Sequence, residues 1–293
     1  MLLLEQLING VCTGAVYALF AVGFSIVFST MQILNLAQGV YATGAALVAY
    51  FATSNYGLPF WAAAVVGICA GGLIAVVVDQ LAFEPLRRRG VSLLGAVIAS
   101  IGMWIAIREI ASMATEATPV GFPSGTAPRG VVSIGPVEVL QTQVLALVSA
   151  AVVITATYLL LHKTTVGAAI RAVGYNKASA QIAGIDPRKM IIGAALLSGA
   201  VTGLAGILLA SGQSFNFHLG DALLLQGFAA VVLGGMGDIR GAALGGVLIG
   251  VVQTLSGSYI SASYQDAITF GLVLVVLLWR PTGILGTSSF QRA

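Results

Sequence analysis

The sequence predicts an all-α, polytopic membrane protein: about nine transmembrane helices, some broken or re-entrant, in one domain spanning 1–293. Three observations carry this. Hydrophobic residues make up 58% of the chain and charged residues only 8%, with a mean hydropathy of +1.00; soluble domains carry roughly 25% charge. Apolar runs long enough for a helical bilayer crossing, ~20 residues each, recur along the chain. The basic residues collect between those runs, where the positive-inside bias puts them on the cytoplasmic side. A transmembrane β-barrel would show alternating segments of roughly ten residues, and these are absent.

Crossings are expected at 7–29, 36–54, 59–82, 93–113, 141–161, 188–211, 222–236, 242–260 and 266–280. The first begins close to Met1–Glu5, which lacks the basic stretch of a cleaved signal peptide. Leu58-Pro59-Phe60-Trp61 opens the third, with Pro in the first turn and Trp at headgroup level. The loop after it holds Arg87, Arg88 and Arg89 and belongs in the cytoplasm. The loop 115–140 has one Arg, two Glu and four Pro and belongs outside. The loop 163–189 holds Lys163, Arg171, Lys177, Arg188 and Lys189, five of the chain's 13 cations, and is cytoplasmic. Asp186-Pro187 caps and opens the sixth crossing. Trp279-Arg280-Pro281 closes the ninth with an aromatic anchor, a charge and a helix stop. Nine crossings put the N-terminus outside and the C-terminus in the cytoplasm.

The same residues exclude several chemistries. His162 and His218 fall on opposite sides of the predicted membrane and form no metal site together. None of the three lysines follows a glycine, so there is no phosphate-cradling P-loop, and any ATP is bound by another subunit. Cys12 and Cys69 lie in apolar helices and read as unpaired thiols. The net charge of +3 sits in membrane-flanking loops and does not indicate nucleic acid. Asp79, Arg108, Glu109, Asp221 and Asp266 all fall near predicted helix ends, none securely at a midplane, which weakens the case for ion coupling.

Four segments stand out. Asn35-Leu-Ala-Gln38-Gly39 and Phe215-Asn216-Phe-His218-Leu-Gly220 read either as interfacial turns or as breaks lining a pathway. Their shared Asn-Gly spacing hints at an internal repeat. Gly234-Gly235-Met236-Gly237-Asp238-Ile-Arg240-Gly241 cannot sustain a helix and reads as a tight turn, re-entrant or ordinary. In the loop 163–189, Asn176 caps a short helix over Lys177–Ala183 and Gly184 supplies a left-handed stop. A preceding helical piece over Thr165–Val173 exposes Arg171. Two capped pieces suggest a docking element with a cytoplasmic partner. Small-xxx-small glycine pairs at 10/14, 67/71, 199/203, 237/241/245 and 246/250 point to close helix contact, within the chain or across a sliding interface.

Taken in order, six motifs resemble the permease subunit of branched-chain amino acid ABC importers over nearly the whole length. They are Asn9-Gly10…Gly14-Ala-Val-Tyr17-Ala-Leu, Asn35-Leu-Ala-Gln38-Gly39, Phe83-Glu84-Pro85-Leu86-Arg87, the 167–185 loop, Val232-Leu-Gly-Gly-Met-Gly237…Gly241-Ala and Arg280-Pro281-Thr-Gly283-Ile-Leu-Gly286. The resemblance implies a multi-pass protein of the bacterial inner membrane that is not itself an enzyme. Its partners would be a second homologous permease, two cytoplasmic ATPases that bind ATP and Mg, and a periplasmic solute-binding protein. No cofactor would be held by this chain. Gly167, Arg171, Asn176, Ala180 and Gly184 would meet an ATPase. Asn35, Gln38, Gly39 and Asn216 would line the pathway. Gly235, Gly237, Asp238 and Gly241 form the glycine turn, and Glu116, Arg129 and Glu138 would face the binding protein. The family usually has His and an acid where Gln38 and Val40 stand, and Ser and Pro where Asp238 and Arg240 stand. Relatives handling urea, short amides or aromatic acids share the scaffold. The alternatives are a partner-free, ion-coupled secondary transporter and a passive channel for small polar solutes.

Overall fold

A computed structural model of the chain describes residues 2–128, 130–134 and 137–286, with no side-chain description at 2, 132–134, 137 and 138. Helices follow the apolar runs. They are α1 (Leu2–Met31), α2 (Gln38–Tyr56), α3 (Phe60–Val78), α4 (Glu84–Arg88) and α5 (Leu93–Ala114), with a π-helical turn at Asp79–Phe83. An antiparallel hairpin, β1 (Val131–Ile134) on β2 (Val137–Leu140), adds one element to the all-α expectation. The chain continues as α6 (Gln141–Lys163), α7 (Thr165–Tyr175), α8 (Lys177–Ile182), α9 (Pro187–Gly212), α10 (Leu219–Gly234), α11 (Ile239–Tyr259) and α12 (Gln265–Trp279).

Seven helices among the described residues are long and apolar enough to cross a membrane. The two expected crossings outside that number are α2 and α10. Both start inside the bundle. Gln38 in the first turn of α2 hydrogen-bonds Ser198 and Thr202, which lie in the middle of α9. The 16 residues of α10 reach about 24 Å at ~1.5 Å each, short of a ~30 Å hydrocarbon core.

The bundle is an inverted repeat. The triad α1–α2–α3 corresponds to α9–α10–α11, and the long helices exchange partners: α1 packs on α11, α9 on α3. The same device joins both pairs. A Cβ at Gly10 would lie 2.8 Å from Val251 Cα, and one at Gly71 would lie 2.7 Å from the Gly199 carbonyl oxygen. The glycine pairs at 10/14, 246/250, 67/71 and 199/203 are thus consumed in packing within the chain. Met31 at the end of α1 and Arg188 at the start of α9 both meet the 79–88 segment. The two triads therefore run in opposite directions, as in many transporter folds.

Helix ends form where the caps were expected. Asp186 accepts the Arg188 N–H at 3.0 Å, with Pro187 opening α9. Asn176 accepts the Ser179 N–H at 3.0 Å, and Gly184 has φ +79°. One end of the bundle gathers Arg87, Arg88, Arg188, Arg240 and Arg280, and is here the basic end.

Candidate coupling surface and central breaks

The two breaks meet at the centre. Asn35 accepts the Ala37 N–H at 3.0 Å, and Asn216 accepts the His218 N–H at 3.0 Å. The next backbone bonds also match, Gln38 N–H to the Asn35 carbonyl and Leu219 N–H to the Asn216 carbonyl. The Asn-Gly echo is thus one turn used twice. It starts α2 and α10, whose first turns abut through Gly39 and Gly220. The Gly220 N–H donates to Thr43 Oγ1 at 2.9 Å. Any side chain at either glycine would strike the other's backbone.

The breaks differ in their polar filling. Gln38 is 0% exposed, and its Nε2 donates to Ser198 Oγ at 2.9 Å and Thr202 Oγ1 at 2.5 Å. Ser198 in turn donates to the Gly23 carbonyl at 2.7 Å. Asn35 is also buried, donating to the Tyr41 hydroxyl oxygen at 2.8 Å. Asn35, Gln38 and Gly39 are therefore sealed inside the bundle, joining α1, α2 and α9. At the second break His218 is exposed, with Nδ1 2.7 Å from Asp221 Oδ2. Trp104 Nε1 donates to Asp221 Oδ1 at 2.8 Å, and Arg108 lies 3.7 Å from Asp221 and over the Trp104 ring.

At the basic end, α7 and α8 lie as a short angled pair. Ile170, Val173 and Ala180 are buried toward the bundle; Val173 and Ala180 pack with Val27, Met31, Ile191 and Ala195. Gly167 sits against the Leu160 and Leu161 carbonyls. Within this chain Gly167 therefore packs on α6 and Ala180 on α1 and α9, which seats the segment on the bundle. Arg171, Asn176 and Gly184 are exposed. Tyr175 and Ile182, which the sequence reading passed over, are 94% and 90% exposed. Their signal was available: two large apolar residues among polar ones, each just before a helix end.

Beside this segment a partly buried ion cluster ties the start of α9 to the end of α3. Asp79 is 1% exposed and receives both Arg87 nitrogens, at 2.6 and 3.0 Å. Arg87 also bonds Glu84 at 2.9 Å, and Glu84 bonds Arg88 at 2.9 Å. Arg188, at the start of α9, reaches Glu84 at 3.7 Å and Gln80 at 3.2 Å. The π-helical turn at Asp79–Phe83 brings Asp79 and Arg87 together across eight positions; such turns cluster at functional sites. Lys177 and Arg87 share a cleft of ≈ 290 Å³ with Met31 and Phe83. Burial lowers the proton affinity of Lys177, Arg87 acts in the same direction, and Asp79 and Glu84 oppose it.

The glycine turn lies at this end and does not dip into the bundle. Asp238 accepts the N–H groups of Arg240 and Gly241 at 2.8 and 3.3 Å, and the Arg240 guanidinium lies 4.5 Å over the Tyr158 ring. Gly235 and Gly237 have φ +109° and +88°. The Ile284 and Leu285 N–H groups donate to the Leu233 and Gly234 carbonyls at 2.8 and 3.0 Å, so residues 281–286 close over the turn. At the opposite end Glu116 is exposed with φ +51°. Arg129 lies outside the described residues, as does the side chain of Glu138.

Comparison with known proteins agrees with this arrangement. The family model "Branched-chain amino acid transport system / permease component" matches residues 6–277. The high-affinity branched-chain amino acid transport system permease protein BraD of Pseudomonas aeruginosa is 30% identical, over 99% of this chain and 97% of its own. LivH of Escherichia coli, carrying the same description, is 30% identical over the same shares. A probable branched-chain amino acid transport permease of Methanocaldococcus jannaschii is 30% identical over 92% of this chain and 88% of its own. With a family model matching most of its length and relatives 30% identical over nearly all of it, this chain belongs to the branched-chain amino acid permease family.

Proposed function

We propose that the chain is the membrane-spanning permease subunit of an ATP-driven, binding-protein-dependent importer for branched-chain amino acids or a related small amide or organic acid. The observation that carries this is the α7–α8 segment. It is seated by Val173 and Ala180 and turns Tyr175 and Ile182 outward, a fixed apolar grip with no occupant among the described residues. In this reading the basic end is cytoplasmic, and two ATPases that bind ATP and Mg take hold there. The 115–140 face, with Glu116, receives a loaded periplasmic binding protein. A second, homologous permease completes the pathway.

The mechanism follows from differential binding. ATP draws the ATPases together, and their motion reaches α1 and α9 through the seat of α8. Access flips because nucleotide and loaded binding protein favour different states. The Arg188–Glu84–Arg87–Asp79 chain carries the same displacement into α3.

Gly184→Trp tests this in the assembled complex reconstituted in vesicles. The position has open space around it but a positive φ, so strain of roughly 1–2 kcal/mol is local. The expected result is a complex of normal abundance whose leucine uptake per ATP falls at least fivefold. Normal uptake by that variant removes the coupling assignment. Uptake abolished by an ionophore at constant ATP would favour an ion-coupled transporter instead.

A further inference from the structure

A second polar cluster lies on the flank of the bundle, away from both breaks. Asp266, in the first turn of α12, accepts Gln226 Nε2 at 2.8 Å and Gln253 Nε2 at 3.1 Å, both on Oδ1. Tyr17 donates its hydroxyl to Gln253 Oε1 at 2.7 Å, which fixes that amide with its nitrogen toward the carboxylate. Among the described residues no cation pairs with Asp266, and no donor reaches its Oδ2. Gln226 is 5% exposed, and its Oε1 has no hydrogen-bond partner.

A carboxylate at a helix start is ordinarily a dipole or interfacial charge. Its neighbours argue against that here. Tyr17 lies mid-way along α1, and Gln226 is seven residues into α10. Thirteen residues separate Asp266 from Trp279, the exposed aromatic at the other end of α12. At ~1.5 Å per residue that is about 20 Å, roughly two-thirds of the way across a ~30 Å hydrocarbon core. Asp266 is nevertheless exposed on this chain's surface. A bare carboxylate cannot face lipid at that depth without large cost, so the surface borders water or another protein.

The donor–acceptor balance names the ligand. Each amide nitrogen gives one N–H to Asp266, and the tyrosine O–H goes to Gln253. The carboxylate keeps its charge with no cationic partner among the described residues, and Asp266 Oδ2 and Gln226 Oε1 are acceptors without a donor. Such a set repels a carboxylate and receives a donor-rich cation. We propose that Asp266, oriented by Gln226, Gln253 and Tyr17, is a station on the solute path that holds the ammonium group of an amino acid. This rests on the importer reading above and adds a residue-level site to it.

The test uses the full complex in proteoliposomes with labelled leucine as probe, in sodium and in choline medium. Asp266→Asn keeps the acceptor oxygen for both amides and removes the charge and the second acceptor, so a merely structural role would survive it. The expected result is at least a tenfold loss of uptake in Asp266→Asn, with Asp266→Glu recovering half of wild-type uptake or more, in both media. Gln226→Leu, which removes the inner acceptor, is expected to raise the KM for leucine more than it lowers the maximal rate. Uptake by Asp266→Asn within twofold of wild type overturns the site while leaving the importer reading standing. A sodium requirement in wild type that vanishes in Asp266→Asn overturns the ammonium assignment in favour of an inorganic cation. Failure of the wild-type complex to import leucine with ATP overturns both the leucine form of the importer reading and this site.

Discussion

The two inverted triads share a backbone and differ in what they bury. Both use an Asn-capped turn to start a helix at the centre, and both bind their long helix through facing glycines. The first triad is closed: Gln38 bonds Ser198 and Thr202 with no exposure, and Asp79 is locked to Arg87 at the basic end. The second is more open, with His218 exposed above Asp221, and α11 ends in no comparable ion cluster among the described residues. Repetition therefore supplies the frame, and local polar chemistry assigns the first half to holding and the second to exposure.

This comparison breaks most sharply at Asp79. Asp79→Ala leaves the largely buried Arg87 guanidinium with Glu84 alone and should cost about 1.5–3 kcal/mol, the range for hydrogen bonds to a charged group. The expected outcome is loss of most folded protein on detergent extraction, read by size-exclusion recovery and thermal unfolding. Recovery at wild-type level would remove the ion cluster from the structural account. The glycine contact tests the symmetry itself. Gly39→Val and Gly220→Val each drive a side chain into the facing backbone, an overpacking cost of about 1–3 kcal/mol, at the upper end because backbone cannot repack. The two variants should lower the melting temperature by similar amounts; a tolerant Gly220→Val beside a damaging Gly39→Val would mean the breaks are not equivalent. The smallest effect sharpens the contrast. Gln38→Ala empties a fully buried, hydrogen-bonded site and should cost about 2 kcal/mol, whereas Asn216→Ala loses a partly exposed cap worth about 1 kcal/mol. Thermal unfolding of the pair in one detergent should rank them in that order.

Much of this was legible in the sequence for local reasons. Cap and stop residues announce themselves by chemistry, so Asp186-Pro187, Asn176 and Gly184 fell where expected. Apolar length announces a span, but it cannot say where the span begins in depth. Hence α2 and α10 read as full crossings, and Asp266 read as an interfacial charge. Pairings between distant helices are also invisible to local pattern. Nothing in the 163–189 loop says that Ala180 points inward, because an alanine suits a seat and a docking face equally well. The Arg87–Asp79 bond needed the π-helical turn, which shifts the register of side chains after α3. The Asn-Gly echo was a five-residue hint that geometry turned into an inverted repeat.

The partner exchange also sets an order of events in biosynthesis. Gly10 of α1 packs against Val251 of α11, so α1 waits for a helix made much later in the chain. At roughly 5–20 residues per second, the ~240 residues between them occupy about 12–48 s. Throughout that interval α1 stands in the membrane with its glycine groove unfilled. An insertion factor, or lipid itself, has to shelter that groove until α11 arrives. Residues 281–286, which close over the glycine turn, come later still. The glycine turn is thus clasped only after α12 has been made.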